Sequence, residues 1–182
     1  MTNQTTVKFL AISGSLRQAS SNLALLKAAQ TLAPANIQIT LYNHLGDLPH
    51  FNPDNEFEPN ETVAHLKEQV DAADGLIISS PEYAHGVPGS LKNGLDWLVG
   101  GPEFYEKPVA FFNASGRGIH AQASLREIVK TMSGHIVEEA CMTLPFISKK
   151  INQTVLETDP ELVTLIHQAL QNYVSFLKEN NP

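Results

Sequence analysis

Short apolar runs alternate with stretches of helical periodicity from one end of this chain to the other, and no other feature narrows its fold so far. Val7–Ile12 reads as a buried strand, and Leu23 to Leu32 sets Leu23, Leu26 and then Leu25, Ala29, Leu32 at helical spacing. Pro34 and Asn36 end that helix before Ile37–Tyr42, a second strand of alternating pattern. His44 to Pro59 is irregular and carries Phe51 and Phe57, whose size suits packing against a partner or a site rim. Asn60 caps a helix with Val63, Leu66 and Val70 on one stripe, and Gly75–Ser80 is a third strand with the apolar run expected when both faces are covered. Pro88 sits near the start of a helix bearing Leu91, Leu95, Trp97 and Leu98. Pro108–Asn113 is a fourth strand, Gln122 to Met132 a fourth helix, and His135–Val137 a short strand that Cys141–Leu144 can continue. Asp159-Pro160-Glu161 opens a last helix, whose Leu162, Ile166, Ala169, Leu170, Tyr173 and Leu177 recur every three or four positions. This alternation specifies an α/β fold with a parallel sheet, here of five strands, and helices on both faces. At 182 residues the chain fits one such domain, 1–182.

In sheets of this kind ligands bind beyond the carboxyl ends of the strands, where the strand order switches. Three chemically unusual stretches, Ser13–Asn22, Ser80–Pro88 and Ala114–His120, follow the first, third and fourth strands and so share one edge. The first offers Gly14 for a sharp turn, the hydroxyls of Ser15, Ser20 and Ser21, the amide of Asn22, and the planar guanidinium fork of Arg17. The helix that follows adds unpaired N–H groups and the positive end of its dipole. A polar turn with a helix N-cap would use the same residues; their place at the tip of the first strand favours a phosphate cradle. In the second loop Pro81 and Pro88 stiffen both ends, and Gly86 and Gly89 let backbone approach the edge of a flat heterocycle. Tyr83 would form an apolar wall there, whereas Trp97, among leucines at helical spacing, reads as core. The third loop places Gly116 and Gly118 at a strand end, suited to close contact with a ligand. Gly116-x-Gly118-x-x-Ala121, with Glu138 about 20 residues beyond, also fits a loose dinucleotide fingerprint, but it follows the fourth strand and not the first.

A net charge of −7 with no block of Lys or Arg argues against a nucleic-acid partner, while one local arginine can still hold a small anion. Cys141 stands alone, so no disulfide framework or CxxC pair exists, and a reducing, cytoplasmic setting is expected. Met1 to Thr6 shows no basic region followed by an apolar one, and no apolar run approaches the roughly 20 residues of a membrane span. No GxxxxGK[ST] occurs, and Ile147 stands where a phosphatase loop starting at Cys141 would need arginine. The seven histidines are scattered without an HExxH pair, so no metal is expected. His85 and His120 lie in candidate loops, yet neither is paired in sequence with a nucleophile, and no catalytic acid or base is assigned.

Gly14-Ser15-Leu16-Arg17-x-x-Ser20-x-Asn22, followed by Pro81-Glu82-Tyr83 and Val87-Pro88-Gly89-x-Leu91-Lys92-Asn93-x-Leu95-Asp96-Trp97, resembles the NADPH-dependent FMN reductase family of quinone, azo-dye and chromate reductases. The resemblance covers roughly residues 7 to 145 and rests on both motifs in this order. It implies a flavodoxin-like three-layer sandwich and FMN held without a covalent link. By match, Ser15, Arg17, Ser20 and Asn22 would bind the phosphate, with Ser21 adjacent. Pro81, Glu82, Tyr83 and Ala84 would line the isoalloxazine with His85 next to them, and Ser115, Gly116 and Arg117 would close the other side. The third loop departs from the Gly-Gly form of many members. The implied activity is NAD(P)H oxidation, with hydride transfer through bound flavin to quinones, azo compounds or free flavin. The implied assembly is a homodimer or homotetramer, with Asp96 and Trp97 available to its contact. Two other readings remain: a flavodoxin-type electron carrier without nicotinamide turnover, although such carriers usually lack an arginine in the phosphate loop, and a dinucleotide-binding enzyme using Gly116–Ala121.

Overall fold

A computed structural model describes residues 6–145 and 151–180; residues 1–5, 146–150 and 181–182 lie outside it, and with them most of the polar N-terminal stretch and Ile147. The strands are β1 (Val7–Ser13), β2 (Ile37–Tyr42), β3 (Gly75–Ser79) and β4 (Pro108–Asn113), then β5 (His135–Ile136) and β6 (Met142–Thr143). They form one parallel sheet in the order β2-β1-β3-β4-β5. β5 and β6 both pair with β4, at Val109↔Ile136 and Phe112↔Met142, because the short helical turn Glu138–Ala140 interrupts what is in effect one fifth strand. The expected five-stranded sheet is therefore present with its last strand broken.

The pleat sends alternate residues of each strand to opposite faces. Phe9 and Ala11 pack with α1 (Ser21–Leu32), α5 (Gln153–Thr158) and α6 (Pro160–Asn180), while Leu10 and Ile12 pack with α2 (Glu61–Asp71), α3 (Gly89–Asp96) and α4 (Ile119–Thr131). α5 has no counterpart in the sequence reading, since its six residues bury only Leu156 and show no helical period. Tyr173 of α6 locks the first face. Its ring stacks on Phe9 at 4.4 Å and its hydroxyl donates to the Leu76 carbonyl at 3.0 Å. Gly75 is required there, because an added Cβ would lie 2.4 Å from that hydroxyl.

The chain leaves β1 toward one face, through α1, and leaves β3 toward the other, through α3. The crevice of such a sheet lies between the carboxyl ends of those two strands. On the second face α3 also anchors the irregular stretch that follows β2. Trp97 Nε1 and Asn93 Nδ2 both donate to the Pro49 carbonyl, at 2.8 and 2.9 Å, and Asn93 Oδ1 accepts from the Phe51 amide at 2.8 Å. Phe51 meets Trp97 edge to face at 5.1 Å. Trp97 is 5% exposed, so its ring is taken up within the chain. Of the two phenylalanines in this stretch, Phe51 packs inward and Phe57 is exposed.

Candidate active site

The loops after β1, β3 and β4 converge on an open cleft of about 1020 Å³. The first loop contributes Ser15, Arg17, Ser20, Ser21 and Asn22 to its lining, the second Pro81, Glu82 and Tyr83, and the third Ser115, Gly116 and Arg117. Ala84 and His85 are the two expected residues that do not line it.

The loop after β1 takes its shape from its own serines. Ser13 Oγ accepts from the Ser15 amide at 3.3 Å, and Ser15 Oγ accepts from the Arg17 amide at 3.3 Å. Gly14 serves this loop by close approach and not by a left-handed turn: a Cβ there would lie 2.7 Å from Ser80 Oγ and 3.0 Å from Leu91 Cδ2. Ser20 caps α1, its Oγ accepting from the Leu23 amide at 3.4 Å. The amides of Ser21 and Asn22, in the first turn, have no acceptor within the helix. Asn22 is buried and its Oδ1 accepts from Ser79 Oγ at 3.0 Å, which ties the start of α1 to the end of β3 and leaves the NH2 group as its donor for an anion.

The loop after β3 closes a two-residue hairpin between Tyr83 and Gly86, whose amides and carbonyls pair at 3.1 and 2.9 Å. The left-handed positions fall on Ala84 and His85, at φ 49° and 59°, where a turn of this hand places both central residues. The hairpin turns His85 away from the cleft to stack on His120, 4.3 Å between ring centres, and leaves the Tyr83 side chain 54% exposed over it. The Tyr83 hydroxyl is 3.4 Å from Ser15 Oγ, which joins the second loop to the first.

The loop after β4 turns on Ser115, whose Oγ accepts from the Arg117 amide at 3.2 Å. Glu82 reaches it from the second loop and accepts from the Ala121 amide at 2.9 Å. That hydrogen bond, with the His120 amide and the imidazoles of His120 and His85, holds the Glu82 carboxyl below the usual range against the opposing effect of burial.

The cleft also includes Ala19, Ser80, Ala114, Gly118, Leu144, Pro145 and Ile151. Leu144 and Pro145 follow β6, so the rule that assembled the other three loops reaches them once the fifth strand is extended to Leu144. Ile151 gives no such signal in sequence.

Comparison with known proteins agrees with this architecture. The profile of the NADPH-dependent FMN reductase family matches residues 7–149. The chain belongs to that family. A quinone reductase of Escherichia coli (strain K12) is 30% identical over 169 residues, covering 89% of this chain and 86% of that protein. An NAD(P)H-dependent FMN reductase of Pseudomonas aeruginosa is 35% identical over 173 residues, covering 91% and 92%. Among solved structures, the flavoenzyme NAD(P)H:(acceptor) oxidoreductase FerB of Paracoccus denitrificans superposes with a TM-score of 0.78 at 26% identity, over 96% of this chain and 98% of that one. Membership in a reductase family displaces the electron-carrier reading. The dinucleotide reading also loses its acidic residue, since Glu138 accepts from Arg126 Nη1 at 2.6 and 2.8 Å through its two carboxylate oxygens.

Proposed function

We propose that this member of the NADPH-dependent FMN reductase family holds FMN in the cleft at the carboxyl edge of its sheet and reduces a small-molecule acceptor, such as a quinone, an azo compound or a free flavin, at the expense of NADPH or NADH. The observation that carries this reading is the juxtaposition, in one cleft, of an anion cradle and a peptide-lined slot. The donor set suits a flavin phosphate. Arg17 supplies positive charge, Ser15, Ser20, Ser21 and Asn22 supply short donors, and the dipole of α1 points its positive end there. The cleft volume lies at the upper end of what cofactor sites occupy, roughly 300–1,000 Å³.

FMN, when bound, supplies the two-electron chemistry that links nicotinamide to acceptor. The chain's residues do the rest. Arg17 and its neighbours fix the anionic end. Pro81 to Tyr83 and Ser115 to Gly118 would present backbone along the ring, and Tyr83, steadied on Ser15, would wall the space that nicotinamide and acceptor occupy in turn. Leu144, Pro145 and Ile151 give the cleft an apolar side that keeps water from the ring. In support of a homodimer or homotetramer, Leu16 and Tyr83 on the loops after β1 and β3, and Ile119 at the start of α4, are exposed apolar side chains. A cytoplasmic setting rests on the one unpaired thiol of Cys141; among the described residues no helix is long and apolar enough to cross a membrane.

Purified protein should show flavin absorption bands, or acquire them on addition of FMN, and should oxidise NADPH when a quinone is supplied. Protein that stays colourless in excess FMN would overturn the reading. Tyr83→Ala should lower acceptor turnover more than it lowers FMN retention, because the side chain covers the cleft from its exposed side. Complete loss of flavin from a folded Tyr83→Ala protein would assign that side chain to cofactor binding instead.

A further inference from the structure

We propose that Glu82 is a positioning residue, whose carboxylate caps α4 from outside the helix and thereby fastens the loops after β3 and β4 into a single wall of the cleft. The inference rests on the FMN reading for its functional consequence and on the geometry alone for the fastening.

α4 begins without means of its own to satisfy its first turn. Its N-cap is Gly118, which makes no side-chain cap, and no acidic residue lies in the first turn. The first amides of a helix have no acceptor inside it, and an N-cap side chain ordinarily serves the second or third of them. Here the acceptor comes from 39 residues away: Glu82 Oε2 takes the Ala121 amide, the third of the helix, at 2.9 Å. A Cβ at position 118 would meet Glu82 Cβ at 3.4 Å, an ordinary contact, so a side chain is tolerated there.

A second tie runs beside the first. His85 stacks on His120, one residue before Ala121. To deliver that ring, Ala84 and His85 both adopt left-handed backbone, a state that side chains rarely take and that persists where surroundings over-determine it. His85, which lines no part of the cleft, thus has a role outside it. Both ties connect the same two loops, and those loops contribute Pro81, Tyr83, Ser115 and Gly116 to the cleft lining. Glu82 therefore acts through its neighbours: its carboxylate is engaged by the first turn of α4.

The experiment separates tying from capping. FMN titration followed by flavin fluorescence, thermal melting of the apo-protein and amide hydrogen exchange at Ala121 are measured on wild type, Glu82→Gln, Glu82→Ala, and Glu82→Ala with Gly118→Ser. Glu82→Ala should exchange the Ala121 amide faster and bind FMN about tenfold more weakly, the scale of one charge-assisted hydrogen bond. Glu82→Gln keeps an oxygen acceptor and should recover most of both. Serine at position 118 gives α4 a cap of its own. The double variant should therefore regain melting temperature while FMN stays weakly bound, and it supplies the comparison if Glu82→Ala alone does not fold. Wild-type affinity in Glu82→Ala, or recovery of affinity along with stability in the double variant, would overturn the proposal. Wild type that takes up no FMN would overturn the cofactor reading instead, and Ala121 exchange would still decide whether Glu82 fastens the loops.

Discussion

Arg17→Ala should bind FMN at least about tenfold more weakly than wild type, with little change in melting temperature. A charge-assisted hydrogen bond contributes roughly 1.5–3 kcal/mol, and about 1.4 kcal/mol is a factor of ten in affinity. The stability should hold because the loop does not depend on the guanidinium. Its shape is set by the Ser13 and Ser15 hydroxyls on backbone amides, and Arg17 is exposed at its crest. Exposure also makes the contact sensitive to salt. Wild-type affinity should fall as ionic strength rises, and the fall should be shallower in Arg17→Ala. Arg17→Lys should recover part of the loss, since lysine restores the charge without the planar fork. Fluorescence titration at two salt concentrations checks all three, and unchanged affinity in Arg17→Ala would remove Arg17 from the site.

Where a feature depends on hydrophobic period, the sequence shows it. Apart from the short α5, the strand and helix order, the two covered faces and the shared edge of three loops all follow from which residues are apolar and how far apart they stand. Features that depend on a single long-range contact do not appear there. Gly14 looks like a turn glycine, but its hydrogen side chain is needed because Ser80 and Leu91 come from distant segments to lie against it. In the second loop the glycines suggest the special backbone positions, yet the positive φ angles belong to Ala84 and His85, while a Cβ on Gly89 would meet nothing within 4 Å. Composition points to glycine at such turns because an isolated chain prefers it. Here the hairpin bonds between Tyr83 and Gly86, and the stack of His85 on His120, hold a less favourable residue in place. Glu82 is legible as part of a motif and illegible as a cap, because no local pattern links position 82 to a helix starting at 119. The fourth helix starts three residues before the sequence suggests for the same reason: its first turn is completed by a side chain from another loop.

Trp97→Ala should destabilise the protein by about 3–5 kcal/mol, the range for truncating a buried aromatic side chain, out of a total that for single domains is typically about 5–15 kcal/mol. The loss divides unevenly. The hydrogen bond to Pro49 contributes little of it, because the Pro49 carbonyl keeps the Asn93 Nδ2 donor at 2.9 Å. Most comes from the cavity left where Phe51 meets the indole, in a cluster that also holds Leu45, Leu48, Leu91 and Leu95. Gly94 shows how tight that region is, since a Cβ there would lie 2.7 Å from Leu45 Cδ1. The effect should therefore be local in the first instance. The segment around residues 45–51 should become sensitive to protease at concentrations of denaturant that leave the sheet folded. FMN affinity of the folded variant should stay near wild type, because Trp97 lines no part of the cleft. Trp97→Phe, which keeps a ring against Phe51, should recover a large share of the stability. Urea unfolding gives the stability and limited proteolysis gives the locality, while sedimentation of the same samples tests the other role for this residue. A core tryptophan lowers the unfolding midpoint and leaves the assembly mass of folded protein unchanged; a contact tryptophan does the reverse. The 5% exposure of the indole, with its N–H already bonded inside the chain, makes the first outcome the expected one.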